Sequence, residues 1–165
     1  DRPGVAYQAV LWALQAGYRH IDTAQNYGNE EEVGRAMKDS GVLRGDICLV
    51  TKLSHARDYS NARFIFLQQL ANLQVSYVDV YMLHHPADAT IEQRREAWEQ
   101  LEQLYDEGKI KVLGLSNVNI ELLLEFLSFA RVRPAYVQNK YSVYQPAHSL
   151  DHDSRSWAAN LSLMD

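Results

Sequence analysis

The chain has 165 residues and a formal net charge of −5 at pH 7. Its 47% hydrophobic and 22% charged residues are typical of a globular chain and exclude an intrinsically disordered one. The acidic balance argues against nucleic-acid binding, which requires a basic face. No apolar run approaches the roughly 20 residues of a membrane helix, and the single cysteine, Cys48, excludes an internal disulfide. We therefore expect a cytoplasmic protein that binds neither nucleic acid nor membrane.

Helical and strand-like patterns alternate from one end of the chain to the other. In chain order the predicted elements are helix 5–15, strand 18–21, helix 30–38, strand 47–51, helix 60–73, strand 78–83, helix 90–107, strand 111–115, helix 119–130, strand 135–143, helix 150–160 and strand 161–164. Thr90 and Gln93 have the spacing of a capping box at the start of one helix, and Asn29 is positioned to cap another.

Regular alternation of helices with apolar strands predicts an α/β fold, with a parallel sheet flanked by helices. Two architectures have this pattern, an open doubly wound sheet and a (β/α)8 TIM barrel. No G-x-G-x-x-G segment follows a strand, so the glycine-rich loop of a dinucleotide-binding sheet is absent. We therefore favour the barrel, with residues 1–165 as a single domain.

Polar side chains follow the predicted strands at the points where they end. In chain order they are Asp22 with Tyr27 five residues on, Thr51 with Lys52, His84 with His85, Ser116 with Asn117, and Gln138 with Asn139. In a βα barrel the carboxyl ends of the strands carry the chemistry. An unpaired buried polar group costs about 1–3 kcal/mol, so such residues are costly unless they face a site. We therefore predict that they surround one site.

Each of these residues has another interpretation when it is considered alone. Asp22 is suited to capping a loop and Lys52 to ending a strand in solvent. His84 suits a hydrogen-bonded core position and Tyr27 a packing role. The His84–His85 pair does not indicate a metal site, because no third ligand has suitable spacing. An acid, a phenol, a lysine and a histidine at the same end of successive strands favour a catalytic interpretation.

Such a set of groups is suited to proton transfer to a carbonyl. A free phenol has a pKa of about 10, and a neighbouring ammonium group favours its phenolate form. An aspartate keeps the lysine charged and in place, while a histidine orients the carbonyl or relays the proton. The side chains of Ser116, Asn117 and Gln138 match the carboxamide of a nicotinamide ring, which needs a donor and an acceptor. The cofactor would then supply the hydride and the phenol the proton.

Several stretches of sequence carry a family resemblance that covers essentially the whole chain. They are GYRHIDTA (17–24) with YGNE (27–30) and VG (33–34), VTKL (50–53), VDVYMLHHP (78–86), GKIK (108–111) with GLSN (114–117), and the segment 134–141. Together they resemble the aldo-keto reductase family, and the first stretch is long and specific.

The resemblance implies an enzyme that reduces aldehydes or ketones with NADPH, NADH being the alternative, and acts on a small-molecule carbonyl substrate. The resemblance also implies a role for each strand-end residue. Tyr27 donates the proton, Lys52 tunes the acidity of the Tyr27 phenol, and Asp22 holds Lys52. His84 orients the carbonyl, and the nicotinamide carboxamide is bound by Ser116, Asn117 and Gln138. His85 stands where many members carry an aromatic residue at the substrate mouth, which implies a more polar pocket. No metal is implied.

The resemblance also implies an eight-stranded barrel of roughly 300 residues. We expect this chain to hold an incomplete barrel, about strands two to six plus the start of strand seven. Five whole strands cannot close such a barrel, so we expect an isolated chain to be unstable or to self-associate. The alternative function is a non-catalytic barrel fragment, or a regulatory module of the same fold that keeps cofactor binding. The sequence does not indicate an oligomeric state.

Overall fold

The computed structural model describes residues 4–140, in which helices and parallel strands alternate. The helices are α1 (Val5–Gln15), α2 (Glu30–Asp39), α3 (Ala62–Leu73), α4 (Ile91–Asp106) and α5 (Ile120–Phe129). The strands are β1 (His20–Asp22), β2 (Cys48–Leu53), β3 (Val78–Leu83), β4 (Ile110–Ser116) and β5 (Tyr136–Gln138). None of these five helices is both long and apolar enough to cross a lipid bilayer.

The predicted order of elements is confirmed within residues 4–140, and the differences lie at element ends. The second strand runs two residues further than predicted, to Leu53, so it carries Lys52 within the sheet. Residues 60 and 61, predicted as the start of a helix, belong to the 3-10 helix Ala56–Asn61, and α3 begins at Ala62. The predicted helix 150–160, the strand 161–164 and the last part of the strand 135–143 lie outside the described residues.

The five strands form one parallel sheet in the order in which they occur along the chain. A doubly wound sheet reverses its strand order at a switch point, whereas a barrel keeps the sequential order. The sheet is therefore a half-barrel flanked by helices, and the predicted incomplete (β/α)8 barrel is confirmed. The register aligns Asp22 with Val50, Lys52 with Met82 and Ser116 with Gln138. This alignment brings the predicted site residues to one end of the sheet.

The two faces of the sheet have different partners, because successive side chains of a strand point to opposite faces. One face packs against the helices in a large apolar core that includes Leu49, Leu53 and Tyr81. The other face carries a smaller cluster centred on Val50, Val80 and Met82. Lys52 lies two residues after Val50 and so shares this second face.

The helix starts show one confirmed and one wrong prediction. At α4 the capping box is present, since the Gln93 N–H donates to Thr90 Oγ1 at 3.3 Å and the Thr90 N–H donates to Gln93 Oε1 at 2.9 Å. Asn29 occupies the cap position of α2, but its side chain makes no capping hydrogen bond. Its Oδ1 instead accepts a hydrogen bond from the Thr23 hydroxyl at 2.7 Å. The Asn29 side chain is therefore bonded to Thr23, which follows β1, and not to the N–H groups of α2.

Candidate active site

Lys52 is the buried charge around which this end of the sheet is arranged. Its side chain is fully buried, and its ammonium group forms an ion pair with the Asp22 carboxylate. It also donates a hydrogen bond to the backbone oxygen of Thr23 at 3.0 Å. A buried ammonium group is tolerated only when it is paired and hydrogen-bonded. The ends of β1 and β2 together satisfy that requirement.

Tyr27 lies over this ion pair, on a 3-10 turn formed by Gln25–Tyr27. The turn ends at Gly28, whose φ of 64° is in the left-handed region that glycine adopts without strain. The Lys52 Nζ atom is 5.3 Å from the centre of the Tyr27 ring. The Tyr27 side chain remains 42% exposed, so its phenol is accessible to a ligand.

His84 forms the other side of the site, at the end of β3. Its ring lies edge-on to Tyr27 with ring centres 5.8 Å apart, and it stacks on His85 at 4.4 Å. Burial, together with the neighbouring His85 and Lys52 charges, lowers the pKa of His84 to about 4. His84 is therefore neutral at physiological pH. Its Nδ1 atom lies 3.1 Å from the Ser54 hydroxyl oxygen.

The remaining predicted residues join the ends of β3, β4 and β5. Asn117 donates through its side-chain amide to the backbone oxygen of His84 at 2.9 Å. It has a φ of 55°, a left-handed conformation that asparagine tolerates better than most residues. The Ser116 hydroxyl donates to the backbone oxygen of Gln138 at 2.9 Å. The Gln138 amide donates to Asp22 Oδ2 at 2.9 Å, which links β5 directly to β1.

These groups enclose a recess of about 290 Å³. Its lining consists of Tyr27, His84, Ser116, Asn117, Gln138, Asn139 and Lys140. Two predicted residues lie behind this lining: Asp22 accepts a hydrogen bond from Gln138, and Lys52 lies against the Tyr27 ring. His85 stacks on His84 without lining the recess. The structure therefore brings together nine of the ten strand-end residues that the sequence singled out. The exception is Thr51, whose side chain lies on the opposite face of the sheet and donates a hydrogen bond to Glu30 at 2.6 Å. No group of three or more metal-binding side chains lies within residues 4–140.

A larger cleft, of about 590 Å³, lies away from these residues. It is bounded by α2, the end of α3 and the segments that precede β2 and β3, and its lining includes Met37, Leu43, Ile47 and Val75. None of the predicted site residues lines it. It lies toward the amino ends of β2 and β3, where parallel barrels carry stability rather than chemistry. The smaller recess is therefore the candidate active site.

Ser54 is a site residue that sequence reasoning missed. It directly follows β2, is 6% exposed and contacts the ring of His84. Its backbone N–H donates to the Gln25 side chain at 2.9 Å, and its hydroxyl oxygen meets Asn26. The rule that polar residues at strand ends are informative would have identified it if β2 had been predicted to end at Leu53.

Two oxygen atoms of the recess fit the NH₂ group of a primary carboxamide. Asn117 Oδ1 and Gln138 Oε1 have no hydrogen-bond partner within residues 4–140, although the amide nitrogens of both side chains do. An amide NH₂ group is a suitable donor to such oxygens. A nicotinamide ring carries that group, and the recess would hold it beside Tyr27 and His84.

Comparison with known proteins identifies the family. The family model described as "Aldo/keto reductase family" matches residues 3–154. The mouse aldo-keto reductase family 1 member A1 is 36% identical over 91% of this chain and 53% of its own length. The glyoxal reductase of Bacillus subtilis is also 36% identical, over 82% of this chain and 49% of its own.

Solved structures give the same result. An aldo-keto reductase from a Medee basin deep-sea metagenome superposes with a TM-score of 0.85 and 39% identity, over 91% of this chain and 55% of that one. The Bombyx mori aldo-keto reductase, solved in complex with NADP, has a TM-score of 0.83 and 26% identity, over 99% of this chain and 55% of that one. This chain thus spans about half the length of the relatives that it matches. On the family-model match and the half-barrel fold, the chain belongs to the aldo/keto reductase family.

Proposed function

We propose that the protein is an oxidoreductase that reduces small aldehydes or ketones to alcohols with a nicotinamide cofactor. The observation that carries the proposal is the arrangement of Tyr27 above the buried Lys52–Asp22 ion pair, with His84 edge-on to its ring. Membership of a family whose relatives include named reductases supports the same chemistry.

In this proposal Tyr27 is the acid that protonates the carbonyl oxygen. The Lys52 ammonium group stabilises the negative charge that develops on the Tyr27 oxygen as its proton leaves. Asp22 forms an ion pair with that ammonium group and fixes its position. His84 orients the reacting oxygen from the far side of the recess. His85, stacked on His84, contributes a polar ring to the substrate mouth.

The cofactor is NADPH, with NADH as the alternative. Its nicotinamide ring supplies hydride to the carbonyl carbon when it is bound. Ser116, Asn117 and Gln138 hold the carboxamide of that ring, which fixes the ring beside Tyr27. The NADP found in the Bombyx mori structure supports this choice, since that chain shares the fold over 99% of the present one.

The first prediction tests Tyr27 as the acid. Removing the phenol in Tyr27→Phe is expected to lower the rate of carbonyl reduction by roughly 10²- to 10⁴-fold, the usual contribution of a general acid. The measurement is NADPH oxidation with a reactive aromatic aldehyde, made on the full-length protein. Tyr18→Phe is the matched control, because Tyr18 is 67% exposed and lies before β1, at the other end of the sheet. Equal turnover in Tyr27→Phe and the wild type would remove Tyr27 from the acid role.

A further inference from the structure

The turn that carries Tyr27 is joined to the segment after β2 by the side chain of Gln25. The Gln25 amide nitrogen donates to Asp58 Oδ2 at 2.7 Å, and the Ser54 backbone N–H donates to Gln25 Oε1 at 2.9 Å. A carboxylate oxygen can only accept a hydrogen bond and a backbone N–H can only donate one, so these two partners fix the orientation of the Gln25 carboxamide. We call this pair of hydrogen bonds the Gln25 bridge.

The Gln25 bridge lies where the paired strands give way to loops. Strand β1 ends at Asp22, and the N–H of the next residue, Thr23, still donates to the backbone oxygen of Val50 at 2.9 Å. Ser54 directly follows β2, beyond the residues that pair with β1. Its N–H bonds to the Gln25 side-chain oxygen in place of the backbone oxygen that a longer β1 would supply. The Gln25 side chain therefore extends the pairing of these two strands.

The two reacting partners of the site are held in different ways. Lys52 lies within β2 and is fully buried, whereas Tyr27 lies beyond β1 on the turn Gln25–Tyr27 and is 42% exposed. Gln25 is two residues before Tyr27, and Ser54 is two residues after Lys52. The Gln25–Ser54 hydrogen bond therefore joins the backbone on either side of the site. A second one, from the Asn26 backbone N–H to the Ser54 hydroxyl oxygen at 3.2 Å, joins the same two segments.

We propose that Gln25 is a positioning residue that, with Asp58, clamps the Tyr27 turn onto the end of β2 and keeps the phenol over Lys52. Its effect on the reaction rests on the proposed function, in which Tyr27 is the acid. A displacement of about 1 Å in a reacting group can lower a rate by about 10²-fold. Loss of the Gln25 bridge is therefore expected to lower kcat. Cofactor affinity should not change, because the side chains proposed to hold the carboxamide lie at the ends of β4 and β5.

An exchange of donor and acceptor tests the Gln25 bridge in the full-length protein. Gln25→Glu sets a second carboxylate against Asp58 and is expected to lower kcat for aldehyde reduction by NADPH roughly 10- to 100-fold. Adding Asp58→Asn returns a donor to the same place, so the double variant is expected to recover to within about three-fold of the wild type. The dissociation constant of NADPH is expected to stay within about two-fold of the wild-type value in every variant.

Asp58→Asn alone is the matched control. It keeps an acceptor oxygen for the Gln25 amide, so its loss of kcat is expected to be several-fold smaller than that of Gln25→Glu. General damage to the segment around Asp58 would instead make the double variant worse than either single variant. Recovery in the double variant is therefore a result that only a direct contact between the two side chains gives.

Hydrogen exchange in the same proteins measures the Gln25 bridge without turnover. The reporters are the Asn26 and Tyr27 amides, which donate to the Ser54 hydroxyl oxygen and to the Ala24 backbone oxygen and so do not bond to Gln25. We expect exchange at both amides to be about ten-fold faster in Gln25→Glu, relative to the amides of α5, and to slow again in the double variant.

The two measurements separate the clamp from the reaction. Unchanged exchange in Gln25→Glu overturns the clamp, as does a double variant that recovers neither slow exchange nor kcat. With an active wild type, an unchanged kcat in Gln25→Glu overturns the positioning role. The expected exchange pattern in a protein that shows no reductase activity supports the clamp and contradicts the proposed function.

Discussion

At the scale of single residues, the buried groups of the site depend on partners from neighbouring strand ends. Lys52 is fully buried and would be unstable there without Asp22 and the Thr23 backbone oxygen. His84 is only 7% exposed, and its ring is held by Ser54 on one side and by the stacked ring of His85 on the other. These contacts fix both side chains before any ligand binds, which is the condition for a preorganised site.

The lowered pKa of His84 makes folding stability depend on pH. The side chain has a pKa of 6.5 when unperturbed and about 4 in the folded protein. Between these values the unfolded chain binds the proton and the folded chain does not, so stability rises with pH and is lost as pH falls. We expect a fall from pH 7 to pH 5 to remove about 2 kcal/mol of stability through His84. Urea unfolding of the full-length protein at both pH values measures the effect.

The control for this prediction is His84→Gln, which removes the titrating group. This control is needed because Glu30 also contributes to the pH dependence of stability. Burial raises the pKa of the Glu30 carboxyl, so its contribution to stability falls as pH rises, opposite to that of His84. The difference between the wild type and the variant isolates His84. An equal loss of stability in both proteins would show that folding does not lower the pKa of His84.

At the scale of elements, helices α2 and α3 are joined to the sheet by a buried polar cluster. The cluster consists of Glu30 from α2, Gln69 from α3, Thr51 from β2 and Tyr81 from β3. Glu30 Oε1 accepts hydrogen bonds from the Thr51 hydroxyl at 2.6 Å and from the Gln69 amide at 2.8 Å, and Tyr81 donates to Gln69 Oε1. The Gln69 amide also donates to the backbone oxygen of Lys52 at 3.2 Å. The strand that carries Lys52 is thus held from behind by both helices.

The same two helices approach so closely that only glycine fits at one position. A Cβ atom on Gly34 would lie 2.5 Å from the backbone oxygen of Leu73 and 2.6 Å from its carbonyl carbon. Backbone atoms cannot move aside as a flexible side chain would, so Gly34→Ala must separate α2 from α3. We expect a loss of about 1–3 kcal/mol in the free energy of unfolding, the usual cost of overpacking. Chemical denaturation of the full-length protein measures it.

Gly45→Ala is the matched control for that substitution. Gly45 is exposed and lies in the 3-10 turn Arg44–Asp46, where an added Cβ atom would have no neighbouring atom within 4 Å. Its replacement is expected to change the free energy of unfolding by no more than about 0.5 kcal/mol. Similar losses in the two variants would mean that the close approach of α2 to α3 has no particular cost.

At the scale of the whole molecule, the sheet has two outer strands. Within residues 4–140, β1 pairs only with β2, and β5 pairs only with β4. Val50, Val80 and Met82 on the inner face are already buried, so the outer strand edges are the unpaired feature of the described sheet. Unpaired strand edges favour association with other chains.

This arrangement predicts how the 165-residue polypeptide behaves when it is produced alone. We expect it to self-associate in a concentration-dependent way, because association pairs the edges of β1 and β5. Size-exclusion chromatography with light scattering over a range of concentrations measures the mass. A monomer at every concentration that also unfolds in one sharp cooperative transition would contradict the prediction.

Much of this architecture could be read from local patterns. Alternation of helical and strand-like patterns predicted the order of elements, because each pattern reports which face of a helix or strand is buried. The rule that chemistry collects at the carboxyl ends of parallel strands then selected Tyr27, Lys52 and His84 before any distance was known. Both inferences need only neighbours in sequence, and the structure places these three side chains near one another at one end of the sheet.

Other features depend on partners that are distant in sequence, and only the tertiary structure decided them. Gln138 contacts Asp22 across 116 positions, and Asn29 binds Thr23 instead of capping its own helix. Ser54 reaches a ring 30 positions away. In each case a polar side chain had several possible partners, and the packing of the strand ends brought one of them within hydrogen-bond distance. The sequence by itself thus determined the fold and the chemical groups of the site, whereas packing decided which of those groups are joined.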